Sequence, residues 1–276
     1  MSQILLSSEE YLKKRGIGRP RREAEDLIAH FLGMRRIDLY LNFDRPFQEE
    51  EMAPLRELIV RRGAKEPFAY IVGEVAFAGV QIGVNRAVLI PRPETEILVE
   101  QICTHLATQE LEGKVLFDLC TGSGCIAIAL KKRFPQLSVI ASDLSGEALG
   151  VARKNCELNG VSVELLQGDL FAPFAEKECD YFVCNPPYIG AAEVELNDAE
   201  LRFEPRQALV AQEEGLAFYR RIAGGLKKHL RMGGCGWLEL GKGQGESVKN
   251  LFEKEGWERL RIDLDWSGHD RFFFLE

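Results

Sequence analysis

Up to about Gly73 the apolar residues recur at helical spacing and no convincing strand pattern occurs. Ser8 precedes Glu9, Glu10 and Tyr11-Leu12, a sequence that predicts an N-cap with acid in the first turn. Pro20 opens a second helix on Ala24, Leu27, Ile28 and Phe31, and Gly33 stops it. A third is predicted from Gln48 to Arg62, with Met52, Leu55, Leu58 and Ile59 on one face. Glu74 to Phe77 and Val80 to Val84 then read as two short strands joined around Ala78-Gly79, a hairpin.

From Lys114 the period changes. Buried strands are predicted at Val115–Phe117, Ser138–Ala141, Val163–Leu166, Tyr181–Cys184 and Gly236–Leu240. Helices are predicted before, between and after them, at Thr95–Ala107, Ile126–Arg133, Glu147–Asn159, Leu216–Leu230 and Glu246–Lys254. Two closing strands, Arg259–Leu264 and Arg271–Leu275, are separated by only Asp265 to Asp270, too short for a helical crossover, so they should pair antiparallel. The expected fold is α/β: a doubly wound, seven-stranded, mostly parallel sheet with helices on both faces. It is preceded by a small all-helical domain (1–73) and a β-hairpin connector (74–90), leaving 91–276 for the sheet domain.

Composition narrows the function classes. The 276 residues are 46% hydrophobic and 28% charged, ordinary for a globular protein. Through Tyr70 there are 13 basic against 12 acidic residues; the remainder carries 22 against 31 and most of the net charge of −8. An acidic balance argues against bulk affinity for nucleic acid. The seven cysteines form no C-x-x-C pair and the four histidines lack ligand spacing, so no metal is expected and the thiols read as reduced. Acid enters the N-terminus too early for a signal peptide, and no run approaches the roughly 20 apolar residues of a membrane span. A cytoplasmic protein without a membrane partner is expected.

The first strand of the sheet domain runs into Asp118-Leu119-Cys120-Thr121-Gly122-Ser123-Gly124 and a helix begins at once. Small residues there allow close backbone approach to a ligand, with helix N-terminal amides facing it. The next strand ends at Asp143, placed to accept both hydroxyls of a ribose; the alternative is that Asp143 caps the helix after Ser145. The spacing is not G-x-G-x-x-G, so a nicotinamide dinucleotide fits poorly, and no phosphate loop of the G-x-x-x-x-G-K-[ST] kind occurs. Gly241-Lys242-Gly243-Gln244-Gly245 reads as the end of a strand and start of a helix.

Asn185-Pro186-Pro187-Tyr188 directly follows the fourth strand, where open α/β sheets bind ligands. Two prolines stiffen the loop. The Asn185 side-chain oxygen and the Pro186 carbonyl can accept both protons of a planar –NH₂ group while Tyr188 offers a flat face. The nitrogen lone pair can then point at an electrophilic methyl. Alignment is what such a site supplies, and no strong base is required.

In those motifs the chain resembles the S-adenosylmethionine-dependent class I methyltransferases acting on –NH₂ nitrogens. More narrowly it resembles the HemK-like peptide-chain release factor glutamine methyltransferases. The matching stretches are Ile90-Pro91-Arg92-Pro93-Glu94-Thr95-Glu96, the glycine loop, Asn185 to Ile189, Phe203-Glu204-Pro205 with Ala208-Leu209, and Glu214-Gly215-Leu216. Leu238-Glu239-Leu240-Gly241 with Gln244-Gly245, and Gly268-His269-Asp270-Arg271, complete the set. The resemblance implies transfer of a methyl group to the side-chain amide nitrogen (N5) of the glutamine in the Gly-Gly-Gln tripeptide of release factors. S-adenosylmethionine would be the cofactor, held by Cys120, Thr121, Gly122, Ser123, Gly124, Asp143, Leu170 and Asn185. Asn185, Pro186, Pro187 and Tyr188 would hold the glutamine, and the helical domain would grip the protein substrate. Two positions depart from the family pattern: Cys120 stands where glycine is usual and Leu170 where an aromatic is common. Arg92, Glu94 and Glu204 could act directly or through a salt bridge. The competing reading is a nucleic-acid methyltransferase acting on adenine N6 or guanine N2, since the same loop suits a flipped base. The net acidic charge counts against it.

Overall fold

Apolar residues at positions 5, 12, 24, 27 and 28 come together as the core of a first helical unit in the computed structural model, which describes residues 1–194 and 199–276. Five helices build it: α1 (Ser2–Lys14), α2 (Pro20–Phe31), α3 (Arg36–Leu41), α4 (Glu49–Gly63) and α5 (Phe68–Val72). The unit spans Met1–Gly73 and takes in the later turn at Leu201–Phe203. That turn is tied down by Arg202, whose Nη2 donates to the Ala64 carbonyl at 2.8 Å. Arg62 is buried, and each of its three guanidinium nitrogens has a partner. It donates to the Glu23 carboxylate, to the Glu66 carbonyl at 3.1 Å and to Glu200 at 2.7 Å. A buried guanidinium needs such partners to offset its desolvation.

The expected N-cap at Ser8 is not there. Helix α1 begins at Ser2, and Ser8 lies within its buried face between Leu5 and Leu12. The spacing of those two leucines carries one helical stripe straight across Ser8, so packing overrides the serine's preference for a cap. Helices α3 and α5, of six and five residues, are absent from the sequence reading. Runs that short do not complete enough turns for a period to be legible.

The second unit begins with the hairpin of β1 (Glu74–Phe77) and β2 (Val80–Gly83), turned at Ala78 and Gly79, both at positive φ. After α6 (Pro93–Leu106) come β3 (Val115–Leu119), α7 (Cys125–Arg133), β4 (Ser138–Asp143), α8 (Gly146–Asn159), β5 (Glu164–Gln167) and β6 (Cys179–Cys184). A short ladder pairs β7 (Ile189–Gly190) with β8 (Val210–Ala211), with the single turn α9 (Ala191–Val194) between them in sequence. Then follow α10 (Ala217–Leu226), β9 (Leu230–Glu239), α11 (Gly245–Lys254), β10 (Leu260–Leu264) and β11 (Asp270–Leu275). The helix expected to reach Leu230 stops at Leu226, because Leu230 already pairs with Cys179 as the start of β9.

The main sheet has seven strands in the order β10-β11-β9-β6-β3-β4-β5. Strands β9, β6, β3, β4 and β5 are parallel, and β11 runs antiparallel to both neighbours. This is the mostly parallel sheet with closing antiparallel strands expected from the sequence. Phe117, Leu119, Phe182, Leu238 and Phe273 are fully buried in it. The chain lays down β3, β4 and β5 in one direction and then returns to place β6 on the other side of β3. The C-terminal ends of β3 and β6 therefore flank the topological switch point, where such sheets open a crevice. Register puts Leu119 opposite Cys184, so Cys120 and Asn185 leave the sheet side by side.

Candidate active site

The loop leaving β3 is held open by its own backbone. Cys120, Gly122 and Gly124 all have positive φ (58°, 54° and 80°), and α7 starts at the next residue, Cys125. The Thr121 amide donates to the Ser142 carbonyl at 2.9 Å and the Gly124 amide to the Thr121 carbonyl at 2.8 Å. Asp143, at the end of β4, accepts the Gly122 amide on Oδ2 (2.8 Å) and the Ser145 amide on Oδ1 (2.9 Å). Burial raises its carboxyl above the ordinary value, against the pull of those amides. The alternative role for Asp143 as a helix cap belongs instead to Ser145, whose hydroxyl accepts the Ala148 amide. Asn155 of α8 ties the loop to the hairpin: its Nδ2 donates to the carbonyls of Ser123 and Gly83, and its Oδ1 accepts the Gly83 amide.

These elements wall a cleft of about 870 Å³, counting its open mouth. Cys120, Gly122, Asp143, Leu170, Asn185 and Pro187 line it. Thr121, Ser123 and Gly124 do not; Thr121 and Ser123 are buried beneath the loop and shape it from behind. Pro186 is buried, and Tyr188 packs against the main core. Phe218 and Arg221 complete the far wall. Both departures from the family pattern, Cys120 and Leu170, carry positive φ, a conformation that costs an L residue about 1 kcal/mol or more and suits glycine. The Cys120 side chain faces Cys184; burial and then that neighbour hold the Cys184 thiol well above its ordinary value.

Asp118 lies wholly buried beneath the loop. Its Oδ2 accepts the Thr121 hydroxyl at 2.6 Å and its Oδ1 has no hydrogen-bond partner among the described residues. Burial pushes the carboxyl up to about 7, with the Thr121 bond pulling the other way. Because the folded value lies above the ordinary 3.8, the folded chain binds more protons in between, and stability falls as pH rises from about 4 to about 7. Asp118→Asn removes that proton at constant volume. Urea melts across this range should show wild type losing stability with rising pH relative to the variant; parallel curves would contradict the assignment.

On the other side of the crevice, the loop from Asn185 to Tyr188 is clamped at its end. Gln244 donates from Nε2 to the Tyr188 carbonyl at 2.9 Å while its Oε1 accepts the Gly241 amide at 3.0 Å. The second glycine cluster thus closes a strand and opens a helix, as expected, and its glutamine steadies the loop. Arg92 and Glu204, left open by the sequence, form an ion pair. Arg92 Nη2 donates to Glu204 Oε1 at 2.5 Å, and Oε2 accepts the Ile90 amide at 3.0 Å, with Glu204 buried. Glu94 takes no part in that pair.

Two buried polar residues have no role in the sequence reading. Thr95 and Glu239 are 2% and 1% exposed. The Thr95 hydroxyl donates to Glu239 Oε2 at 2.6 Å, and Tyr188 donates to Glu239 Oε1 at 3.2 Å. Asn185 Nδ2 donates to Thr95 Oγ1 at 3.3 Å. Burial and then the Glu239 charge raise the Tyr188 hydroxyl, so it stays a donor. The signal was present: Glu239 is an acid inside the apolar strand Trp237-Leu238-Glu239-Leu240, and a carboxylate is rarely buried without a partner. Among the described residues no group of His, Cys, Asp or Glu could hold a metal ion, and no helix is long and apolar enough to cross a membrane.

Comparison with known proteins places this arrangement. Residues 3–73 match the family model for the PrmC N-terminal domain, and residues 93–209 that for the methyltransferase small domain. The solved N-terminal domain of human METTL16, in complex with SAH, superposes with a TM-score of 0.52 at 19% identity, covering 83% of each chain. That likeness is one of fold, and the fold is the class I methyltransferase architecture expected from the sequence. The release factor glutamine methyltransferase of Geobacter sulfurreducens is 39% identical over 98% of this chain and 94% of its own length. That of Chlamydia trachomatis serovar L2 is 44% identical over 100% of this chain and 94% of its own. At that similarity from end to end, the chain belongs to the family of release factor glutamine methyltransferases.

Proposed function

We propose that this protein transfers a methyl group from S-adenosylmethionine to the side-chain amide nitrogen (N5) of the glutamine in the Gly-Gly-Gln tripeptide of peptide-chain release factors. It would do so in the cytoplasm, with the helical unit gripping the protein substrate. The observation that carries this reading is the position of Asn185 and Pro187. They line the same switch-point cleft as Gly122 and Asp143, on a chain similar over its full length to proteins of that name.

The cleft suits the cofactor. Gly122 offers a surface without a side chain, and the carboxylate of Asp143 keeps lone pairs beyond the two amides it accepts. Leu170 and Cys120 give apolar cover for a purine ring. When bound, the cofactor supplies an electrophilic methyl on a sulfonium centre. The remaining work falls to the chain's own groups. An amide nitrogen is a weak nucleophile because its lone pair is delocalised into the carbonyl. Acceptors at Asn185 Oδ1 and the Pro186 carbonyl, each taking one N–H proton, would hold the –NH₂ plane fixed and draw electron density onto nitrogen. The ring of Tyr188, held through its hydroxyl and its backbone carbonyl, would limit the plane's tilt. Alignment of a bound pair replaces a random encounter, a contribution of several kcal/mol. The surplus proton can leave after transfer, so the absence of a histidine or cysteine base from the loop is consistent with the chemistry.

The test is transfer of labelled methyl from S-adenosylmethionine to a full-length, unmethylated release factor, run beside the same factor with that glutamine replaced by alanine. Label on the first and none on the second is expected. Equal labelling, or labelling of adenine or guanine in nucleic acid instead, would overturn the reading.

A further inference from the structure

The amide of Asn185 can face the cleft in two ways that differ little in shape and oppose each other in polarity. With Oδ1 toward the cleft it accepts protons; flipped, it presents donors to a substrate that also presents donors. Something in the fold must select one of them. Glu239 offers two oxygens, and each is met by a different hydroxyl, Thr95 on Oε2 and Tyr188 on Oε1. A hydroxyl has one proton. Burial raises the Glu239 carboxyl, while the Thr95 bond, the Arg271 charge and the Tyr188 bond favour its ionised form. With Glu239 ionised, the Thr95 proton is committed to it at 2.6 Å, so only lone pairs remain on Oγ1 toward Asn185, 3.3 Å away. Only the NH₂ end of Asn185 can meet lone pairs favourably.

We infer that Thr95 is a positioning residue: with its proton held by Glu239, it accepts from Asn185 Nδ2 and thereby directs Oδ1 toward the substrate nitrogen. The inference rests on the function proposed above and adds to it the group that sets the polarity of its key residue. Thr95 is well placed for the task. It lies in the first turn of α6, where its amide donates to the Arg92 carbonyl, and Arg92 is itself anchored by Glu204. Burial of both Thr95 and Glu239 excludes water that could substitute for either partner. Thr95 touches neither cofactor nor substrate in this reading and acts only through Asn185.

Two variants separate polarity from packing. Thr95→Ser keeps the hydroxyl and loses a methyl; Thr95→Val keeps the shape and loses the hydroxyl. Thr95→Val should lower kcat for methyl transfer on the order of ten- to a hundredfold, the cost of a misdirected buried hydrogen bond. Its affinity for S-adenosylmethionine should be unchanged. Thr95→Ser should stay within about threefold of wild type in kcat, by the same measure, whatever its melting temperature. Comparable kcat in Thr95→Val and wild type, or losses in both variants that follow their thermal stability, would overturn the inference. Heteronuclear NMR of the Asn185 side-chain amide, without substrate, gives a readout independent of activity. Its protons should exchange more slowly with solvent in wild type and Thr95→Ser than in Thr95→Val, and identical exchange in all three would also overturn it. Should the NMR difference appear while wild type methylates no release factor, the selection by Thr95 stands and the substrate assignment fails.

Discussion

Asn185→Ala is expected to lose methyl transfer by a factor on the order of a hundred to a thousand while remaining folded and able to bind S-adenosylmethionine. The size follows from removing one preorganised hydrogen-bonding group aimed at a reacting centre, which typically costs about 3–4 kcal/mol of the barrier. Stability should change far less. Among the described residues the Asn185 side chain makes one bond, to Thr95 at 3.3 Å, and such a bond contributes about 1 kcal/mol. The wall of the cleft formed by Gly122, Asp143 and Leu170 does not depend on it. Single-turnover methyl transfer together with calorimetric titration of the cofactor separates the two effects. Wild-type turnover in the variant would contradict the role given to Asn185.

Gly215→Ala is expected to be the most damaging substitution of a small residue near the loop. Gly215 has φ +91°, a region L residues avoid, and a Cβ there would fall on the Tyr188 carbonyl and the Gln244 amide. Those two groups form the hydrogen bond that clamps the end of the Asn185–Tyr188 loop. Neither can yield without moving backbone or breaking that bond. The backbone conformation alone costs about 1–2 kcal/mol, and the lost bond adds about 1 kcal/mol more. Gly243→Ala is the matched control: its φ is +75°, but among the described residues, its chain neighbours apart, no atom lies within 4 Å of a Cβ there. Urea melts should show Gly215→Ala losing roughly twice or more what Gly243→Ala loses. Methyl transfer, measured where both are folded, should fall only in Gly215→Ala. Equal behaviour of the two would show that the loop is not held from this side.

The sheet was readable because its strands are unbroken apolar runs ended by small or turn-forming residues. Phe117, Phe182 and Leu238 lie in such runs, and all three are fully buried. The reversal of strand order, which creates the crevice, follows from no single residue; it came from the alternation of strands and helices as a whole. Cys120, Gly122, Asp143, Leu170, Asn185 and Pro187 line that crevice, while Thr121, Ser123, Gly124, Pro186 and Tyr188 do not, Thr121 and Ser123 lying buried beneath its loop. What the sequence hid was pairing over long separations. Glu204 with Arg92 spans 112 positions and Thr95 with Glu239 spans 144. Neither pair has a local signature, since spacing along a chain reports on faces of one element and not on which elements meet. Ser8 failed for the complementary reason: a local cap preference yielded to the packing of Leu5 and Leu12 on either side.

The acceptor proposed for this site is one glutamine amide of a protein. Mass spectrometry of an unmethylated release factor, digested after incubation with this enzyme and S-adenosylmethionine, tests it most directly. A single added methyl is expected, located by fragmentation on the side chain of the Gly-Gly-Gln glutamine and nowhere else. An unmodified tripeptide, from an enzyme shown by calorimetry to have bound its cofactor, would contradict it.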